Sequence, residues 1–147
     1  MRRLLMLFIA IGCVASLSCQ TYTTGLVQSS GRVDEIAAIS TLRAIANAQT
    51  AYSISHTGDY GTFEQLVEGG YLDQRFNSSK PRLPGYFLTM TASPKSGSSA
   101  EGSYQCNADP DETANAAGRH FYLSSGSTAI HVNAKQPATE NDQALQP

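Results

Sequence analysis

The feature that most constrains the fold is a long segment, from Val33 to about Ser55, that contains neither glycine nor proline and is rich in alanine. Asp34 and Glu35 stand in its first turn, where the helix dipole favours negative charge. A stripe of side chains recurs along the segment at spacings of four and three residues: Ala38, Leu42, Ile45, Gln49 and Tyr52. The sequence therefore predicts one amphipathic helix, whose stripe needs an apolar surface to cover it.

The second half of the chain is typical of short strands. Pro84 and Gly85 precede the alternating run Tyr86–Thr91, and shorter candidates follow at 103–107, 120–123 and 128–132. The last two candidates flank a serine-rich turn that contains Gly126, which predicts a hairpin.

A short second helix is expected between the long helix and the strands. Thr62 can cap it, it runs through Glu68, and Gly69 and Gly70 end it. At 147 residues the chain supports one domain. The predicted fold class is α+β, with a long N-terminal helix packed on a small antiparallel sheet of three to four strands.

The N-terminal end has the pattern of an export signal. Arg2 and Arg3 precede an apolar run from Leu4 to Val14, and small residues follow before Cys19. The apolar run is shorter than the roughly 18 to 20 residues that a stable membrane-spanning helix needs. We expect residues 1–18 to be a signal peptide, 19–32 a lipidated start and flexible tether, 33–134 the α+β domain, and 135–147 a polar tail.

Cys19 stands where a lipoprotein signal carries its modified cysteine, and this part of the chain resembles such a signal. The resemblance implies that Cys19 becomes the acylated first residue and holds the protein to a membrane. Leu17 lies one position closer to the cysteine than is usual, and Ser16 holds the usual leucine position. Ordinary secretion, with cleavage near Ser16 or Ser18, is the alternative.

The charge of the mature chain argues against a nucleic-acid partner. Of the 10 Lys and Arg residues, Arg2 and Arg3 lie in the predicted signal, which leaves 8 basic residues against 12 acidic ones. Because these basic residues are scattered along the chain, they form no phosphate-binding cluster in the sequence. With Cys19 acylated, Cys106 would have no partner within the mature chain for a disulfide.

The order of helices and strands, together with several short motifs, resembles the globular domain of type IV pilins and type II secretion pseudopilins over roughly residues 33–140. The motifs are Leu42-Arg43-Ala44-Ile45, Ala48-Gln49-Thr50-Ala51-Tyr52, Gly58-Asp59-Tyr60-Gly61, Gly85-Tyr86-Phe87-Leu88-Thr89, Ala108-Asp109-Pro110 and Gly118-Arg119-His120-Phe121-Tyr122. The long apolar stem and leader of true pilins are lacking in this sequence. The resemblance therefore implies a pilin-like body behind a lipoprotein-like or secretory signal.

An acidic run offers the one candidate metal site. Asp109, Asp111 and Glu112 lie within four residues, and carboxylate oxygens are the ligands that calcium prefers. The resemblance to major pseudopilins, which bind calcium in a C-terminal loop, points the same way. A solvated acidic turn is the simpler interpretation, and no other cofactor is indicated.

The sequence contains no motif of an enzyme. Cys106, His120 and His131 each lie in a predicted strand, and no catalytic signature surrounds them. Cys106 is best interpreted as a small apolar residue of a strand. The expectation is a protein that is not an enzyme.

Three interpretations of function stay open. The first is a non-enzymatic exported protein of the cell envelope, facing the periplasm or the cell surface, that joins an assembly of protein partners through its helix face or a sheet edge. The others are a surface module that binds a ligand or calcium, and a signal-anchored pseudopilin subunit of a secretion or pilus system. A sheet edge without lysine or proline would favour the first interpretation.

The anchoring hypothesis predicts a change in mass. In membranes from cells that express the chain, intact mass spectrometry should find a protein that begins at Cys19 and carries acyl groups. Cys19→Ala should lose those groups and leave the membrane fraction, because the acyl chains supply the attachment. An unmodified mass, or one that retains Leu4 to Val14, would contradict lipidation.

Overall fold

A long helix, α1, runs through residues 31–55. The computed structural model describes residues 31–95 and 101–146, so the predicted signal peptide, Cys19 and most of the predicted tether lie outside the described residues. In that described part of the chain, no helix is both long enough and apolar enough to cross a membrane.

The stripe of α1 is buried. Ala38, Leu42 and Ile45 have no exposed surface, and they belong to one core cluster with side chains from the strands. Near the other end of α1, Ala48 and Tyr52 pack with Leu66 in a second, smaller cluster. The spacing of four and three residues thus places one face of the helix in contact with the rest of the domain.

Gln49 lies in the same stripe and ties α1 to the loop that follows it. Its side chain is fully buried. The amide nitrogen donates to the carbonyl oxygen of Gly61 at 2.7 Å, and the amide oxygen accepts from the N–H of Gly61 at 3.0 Å. A buried amide whose hydrogen bonds are made adds specificity to the packing of the loop.

Two short helical segments follow that loop. Helix α2, Phe63–Glu68, begins at Thr62 with a capping box, in which Thr62 and Gln65 exchange side-chain to backbone hydrogen bonds. A turn of 3₁₀ helix spans Gln74–Phe76, with Asp73 as its N-cap. The side chains of Phe63 and Phe76 pack these segments against the main core cluster.

The rest of the domain is an antiparallel sheet whose strands lie side by side in chain order. A third short helix, α3, spans Glu112–Asn115 between the third and fourth strands. The strands are β1 Arg82–Leu83, β2 Tyr86–Ser93, β3 Ser103–Pro110, β4 His120–Ser124, β5 Ser127–Asn133 and β6 Gln143–Ala144.

The expectation of a small sheet with three to four strands was wrong, because the sheet has six. The two additional strands, β1 and β6, have two residues each, which is too short to show an alternation of apolar and polar residues. They form because each pairs with a longer neighbour, β2 and β5 respectively. Their presence therefore depends on tertiary contacts.

The sheet has an inner face that packs against α1 and a polar outer face. Inward side chains alternate along each strand and include Tyr86, Leu88, Cys106, Phe121 and Ile130. The residues between them, such as Thr89, Asn107 and Tyr122, share the outer face because their strands are in register. The α1 helix covers the inner face.

An ion pair joins the beginning of α1 to the segment before β4. The guanidinium of Arg119 lies 2.8 Å from one carboxylate oxygen of Glu35, and the backbone N–H of Arg119 also donates to that carboxylate. Hydrogen bonding to Glu35 raises the pKa of Arg119. These contacts connect residues 84 positions apart in the chain.

We expect Gln49→Leu to lower the free energy of unfolding by about 2 to 4 kcal/mol, because the N–H and C=O of Gly61 would lose their buried partner. Urea denaturation at neutral pH would measure the change. Asn47→Leu is the matched control, since Asn47 is an exposed amide on the same helix, and its effect should stay within about 0.5 kcal/mol. Equal effects of the two substitutions would contradict the structural role of Gln49.

Candidate functional site

The outer face of the sheet carries a shallow polar cleft of about 490 Å³. Its floor consists of strand residues and one of its walls is the segment 137–141. The floor residues are Thr89, Gln105, Asn107, Asp109 and Tyr122. Because the lining is made of hydroxyl, amide and carboxylate groups, the cleft can offer hydrogen bonds to a polar molecule.

The segment 134–142, which we call the strap, is fastened across this face. Asn107 on β3 donates to the carbonyl oxygen of Ala138 at 2.9 Å, and Ala138 is buried. Asp142 accepts from the backbone N–H of Thr139 at 2.7 Å and from the side chain of Asn133 at 2.7 Å. These hydrogen bonds, the one from Thr139 first, lower the pKa of Asp142.

Asp109 and His120 form a cross-strand pair at one side of the cleft. The ring nitrogen Nδ1 of His120 lies 2.7 Å from a carboxylate oxygen of Asp109. The pair follows from the register, because Ala108 and Phe121 are paired neighbours on β3 and β4. Among the hydrogen bonds of the described residues, none joins the ring of His120 to a serine, threonine or cysteine side chain.

Cys106 lies on the other side of the sheet. It has no exposed surface, and burial raises the pKa of its thiol far above the ordinary value. His120 and His131 belong to the outer face, so the sheet separates both rings from the thiol. A cysteine in this position packs as a small apolar residue and is a poor nucleophile at neutral pH.

The three acidic residues of the predicted calcium site are held in different interactions. The carboxylate of Asp111 caps α3, accepting from the backbone N–H of Thr113 at 3.0 Å and from its hydroxyl at 2.6 Å. It also lies 2.7 Å from the guanidinium of Arg82. Asp109 is paired with His120, and Glu112 is exposed.

Across residues 31–95 and 101–146, no group of three or more His, Cys, Asp or Glu side chains is arranged to hold a metal ion. The structure therefore does not bring Asp109, Asp111 and Glu112 together as a set of ligands. Calcium binding stays a prediction of the sequence, with no support from this geometry.

One edge of the sheet is left open, and sequence reasoning did not find it. Strand β1 pairs only with Tyr86 and Phe87, the first two residues of the eight-residue strand β2. Just beyond them, Leu88 donates its N–H to the carbonyl oxygen of Pro81 at 2.9 Å. No other strand of the described chain pairs with this side of β2.

The backbone groups of Met90 and Ala92 point to this edge. Leu88 directs its N–H toward β1, and in an antiparallel strand every second residue directs its backbone groups to the same side. No backbone hydrogen bond joins Met90 or Ala92 to another described residue on that side. We call residues 89–93 the open edge of β2.

The edge is open because of the sequence that precedes β1. Pro81 has no N–H to donate to the carbonyl of Leu88, so the ladder between β1 and β2 ends there. Lys80 donates its N–H to the side chain of Ser78 in a turn. The motif Lys80-Pro81 is therefore the one signal in the sequence that could have predicted an uncovered edge.

A cleft of about 520 Å³ lies beside this edge. Ala92 and Pro94 form one wall, and the opposite wall includes Tyr52, Tyr60 and Gln65 from α1, the loop after it and α2. This cleft therefore leaves open space next to Ala92.

No protein-family model matches this chain, and no curated protein and no solved structure matches it.

The interactions of Asp111 imply that the stability of the folded protein depends on pH. The hydrogen bonds from Thr113, and then Arg82, lower the pKa of Asp111 below its ordinary value of 3.8. A lowered pKa in the folded state means that the carboxylate stabilises the protein above pH 3.8 and that this stabilisation is lost as the pH falls through the folded-state pKa. Asp111→Asn should therefore lower the melting temperature at neutral pH.

The difference between the wild type and Asp111→Asn should shrink as the pH falls below 3.8. Thermal unfolding, followed from neutral pH to this range, would measure it. Glu112→Gln is the matched control, because Glu112 is exposed and follows Asp111 in the chain, so this loss of charge should leave the melting temperature close to that of the wild type. A difference for Asp111→Asn that stays constant at low pH would contradict the contribution of the charge.

Proposed function

We propose that this chain is a non-enzymatic exported protein of the cell envelope. In this proposal a lipid on Cys19 holds it to a membrane, and it takes part in an assembly of proteins there. It would do so by adding a strand of a partner to the open edge of β2.

The open edge is the observation that carries the proposal. Residues 89–93 read Thr-Met-Thr-Ala-Ser, with no lysine, proline or other residue that natural sheets use to block an edge. An edge without lysine or proline is the feature expected of a chain that joins an assembly through its sheet. Other proteins use uncovered edges of this kind to bind extended polypeptides.

The chemistry of the edge selects the kind of partner. Met90 and Ala92 each present an N–H and a C=O in the plane of the sheet, so these backbone groups recur at every second residue along the edge. An extended polypeptide offers donors and acceptors with the same repeat, and it needs no particular sequence to pair its backbone. Alternate side chains would then decide which polypeptide binds best.

The predicted anchor complements this mode of binding. Each backbone hydrogen bond is worth only about 0.5 to 1.5 kcal/mol net, so a five-residue edge gives a weak interaction by itself. Confining the chain and its partner to one membrane raises their effective concentration. The apparent affinity of a weak interaction then increases although no new contact is made. In this proposal the predicted lipid on Cys19 and the open edge of β2 therefore serve the same role.

The proposal predicts that Ala92→Pro disrupts the assembly and leaves the fold intact. Proline removes the N–H that faces the open edge, whereas the ladder between β2 and β3 uses the N–H groups of the neighbouring residues. Envelope membranes extracted with mild detergent would be analysed by native size exclusion. We expect wild-type protein in a complex larger than the monomer and Ala92→Pro shifted to the size of the monomer.

Ala92→Ser is the matched control, because it changes the same side chain and keeps the N–H. It should elute with the wild type, and thermal unfolding should show that all three proteins are folded. The proposal is wrong if the wild type elutes as a monomer, or if folded Ala92→Pro elutes in the same complex as the wild type.

A further inference from the structure

We infer that the polypeptide which pairs with the open edge is the same strand of a second copy of this chain, related by a twofold axis at Thr91. This inference rests on the proposed function, since it names the partner at that edge. It gives a defined register, with Thr91 opposite Thr91 of the second copy.

The backbone groups of the edge are complementary to themselves in this register. Antiparallel pairing about Thr91 places Met90 opposite Ala92 of the second copy, and Ala92 opposite Met90. Both residues direct their N–H and C=O to the open side, so each of these two pairs exchanges two hydrogen bonds. Pairing about this axis therefore gives a hydrogen-bond partner to every backbone N–H and C=O between Thr89 and Ser93 that faces the open side.

The side chains are complementary in the same register. On the inner face, the long side chain of Met90 would lie next to the methyl group of Ala92 from the other copy. On the outer face, Thr89, Thr91 and Ser93 are exposed, and the register places Thr89 opposite Ser93 and Thr91 opposite Thr91. Pairs of threonine and serine across strands are favourable, and residues 89–93 carry no charge that would repel its symmetry mate.

The pairing between the two copies cannot extend beyond residues 89–93 at either end. Leu88 already donates its N–H to Pro81, and the residue that would face Leu88 is Pro94, which has no N–H. Leu88 and Pro94 are equally distant from Thr91, so the stretch available on one copy has the length of the stretch available on the other. A twofold interface needs this kind of self-complementary patch.

Disulfide trapping tests the register. In this pairing Thr91 forms a non-hydrogen-bonded pair with its symmetry mate, in which Cα atoms are about 4.5 Å apart, within reach of a disulfide. The full-length chain with Thr91→Cys would be oxidised in native membranes and analysed by non-reducing electrophoresis. We expect a covalent dimer that disappears on reduction and is at least several-fold more abundant than in the wild type.

The wild type controls for the native cysteines, of which Cys106 is buried. Thr89→Cys and Ser93→Cys are matched controls, because both residues are exposed on the same face of the same strand. Each alone should give no dimer above the wild type, because four residues at about 3.4 Å each separate either position from its symmetry mate. Coexpressing the two variants should restore the dimer, since Thr89 faces Ser93 across the axis.

The outcomes separate this inference from the proposed function. If folded Thr91→Cys gives no more dimer than the wild type, or if Thr89→Cys alone gives as much, the register is wrong and the inference fails. If the inference fails while Ala92→Pro still reduces the complex to a monomer, the edge binds another polypeptide and the proposed function stands. If Ala92→Pro also has no effect, both fail.

Discussion

One helix covers one face of the sheet, and the arrangement of the domain depends on this constraint. Burying each large apolar side chain, such as Leu42 or Ile45, contributes about 1.5 to 3 kcal/mol. The same burial fixes the register of the strands, because a slip of one residue on β3 would move Asn107 and Asp109 into the core and expose Cys106. The packing of α1 therefore decides which side chains can form the polar outer face.

Polar contacts determine how α1 sits on the sheet. Glu35 holds its beginning to Arg119, and Gln49 holds its second half to Gly61. Apolar packing is not directional, whereas these hydrogen bonds have required distances and angles, so they select one position of the helix among several that would bury its stripe. The buried amide is satisfied on both of its atoms and adds specificity without leaving an unpaired group.

A helix on one face leaves the edges of a sheet uncovered, and the two edges of this sheet differ. At one side, β6 comes from the end of the chain, and Leu145 beside it packs against the core. At the other side, β1 stops at Pro81 and leaves residues 89–93 of β2 without a partner strand in the described chain. The proposed assembly would complete this edge, and a membrane anchor would make so short an interface effective.

The sequence by itself determined the helices and strands that local patterns of residues specify. The stripe of α1, the cap at Thr62 and the alternation from Tyr86 onward are local patterns, and each corresponds to a helix or strand in the structure. Tertiary structure decided the rest. The strands β1 and β6 are too short to show a pattern of apolar and polar residues. In the sequence Asp111 is a candidate metal ligand, whereas in the structure its carboxylate is paired with Arg82, which lies 29 positions away in the chain. The open edge also depends on tertiary structure. Pro81 marks a place where pairing can stop, but the sequence of a strand shows only which of its faces is apolar, and not whether its backbone groups have a partner.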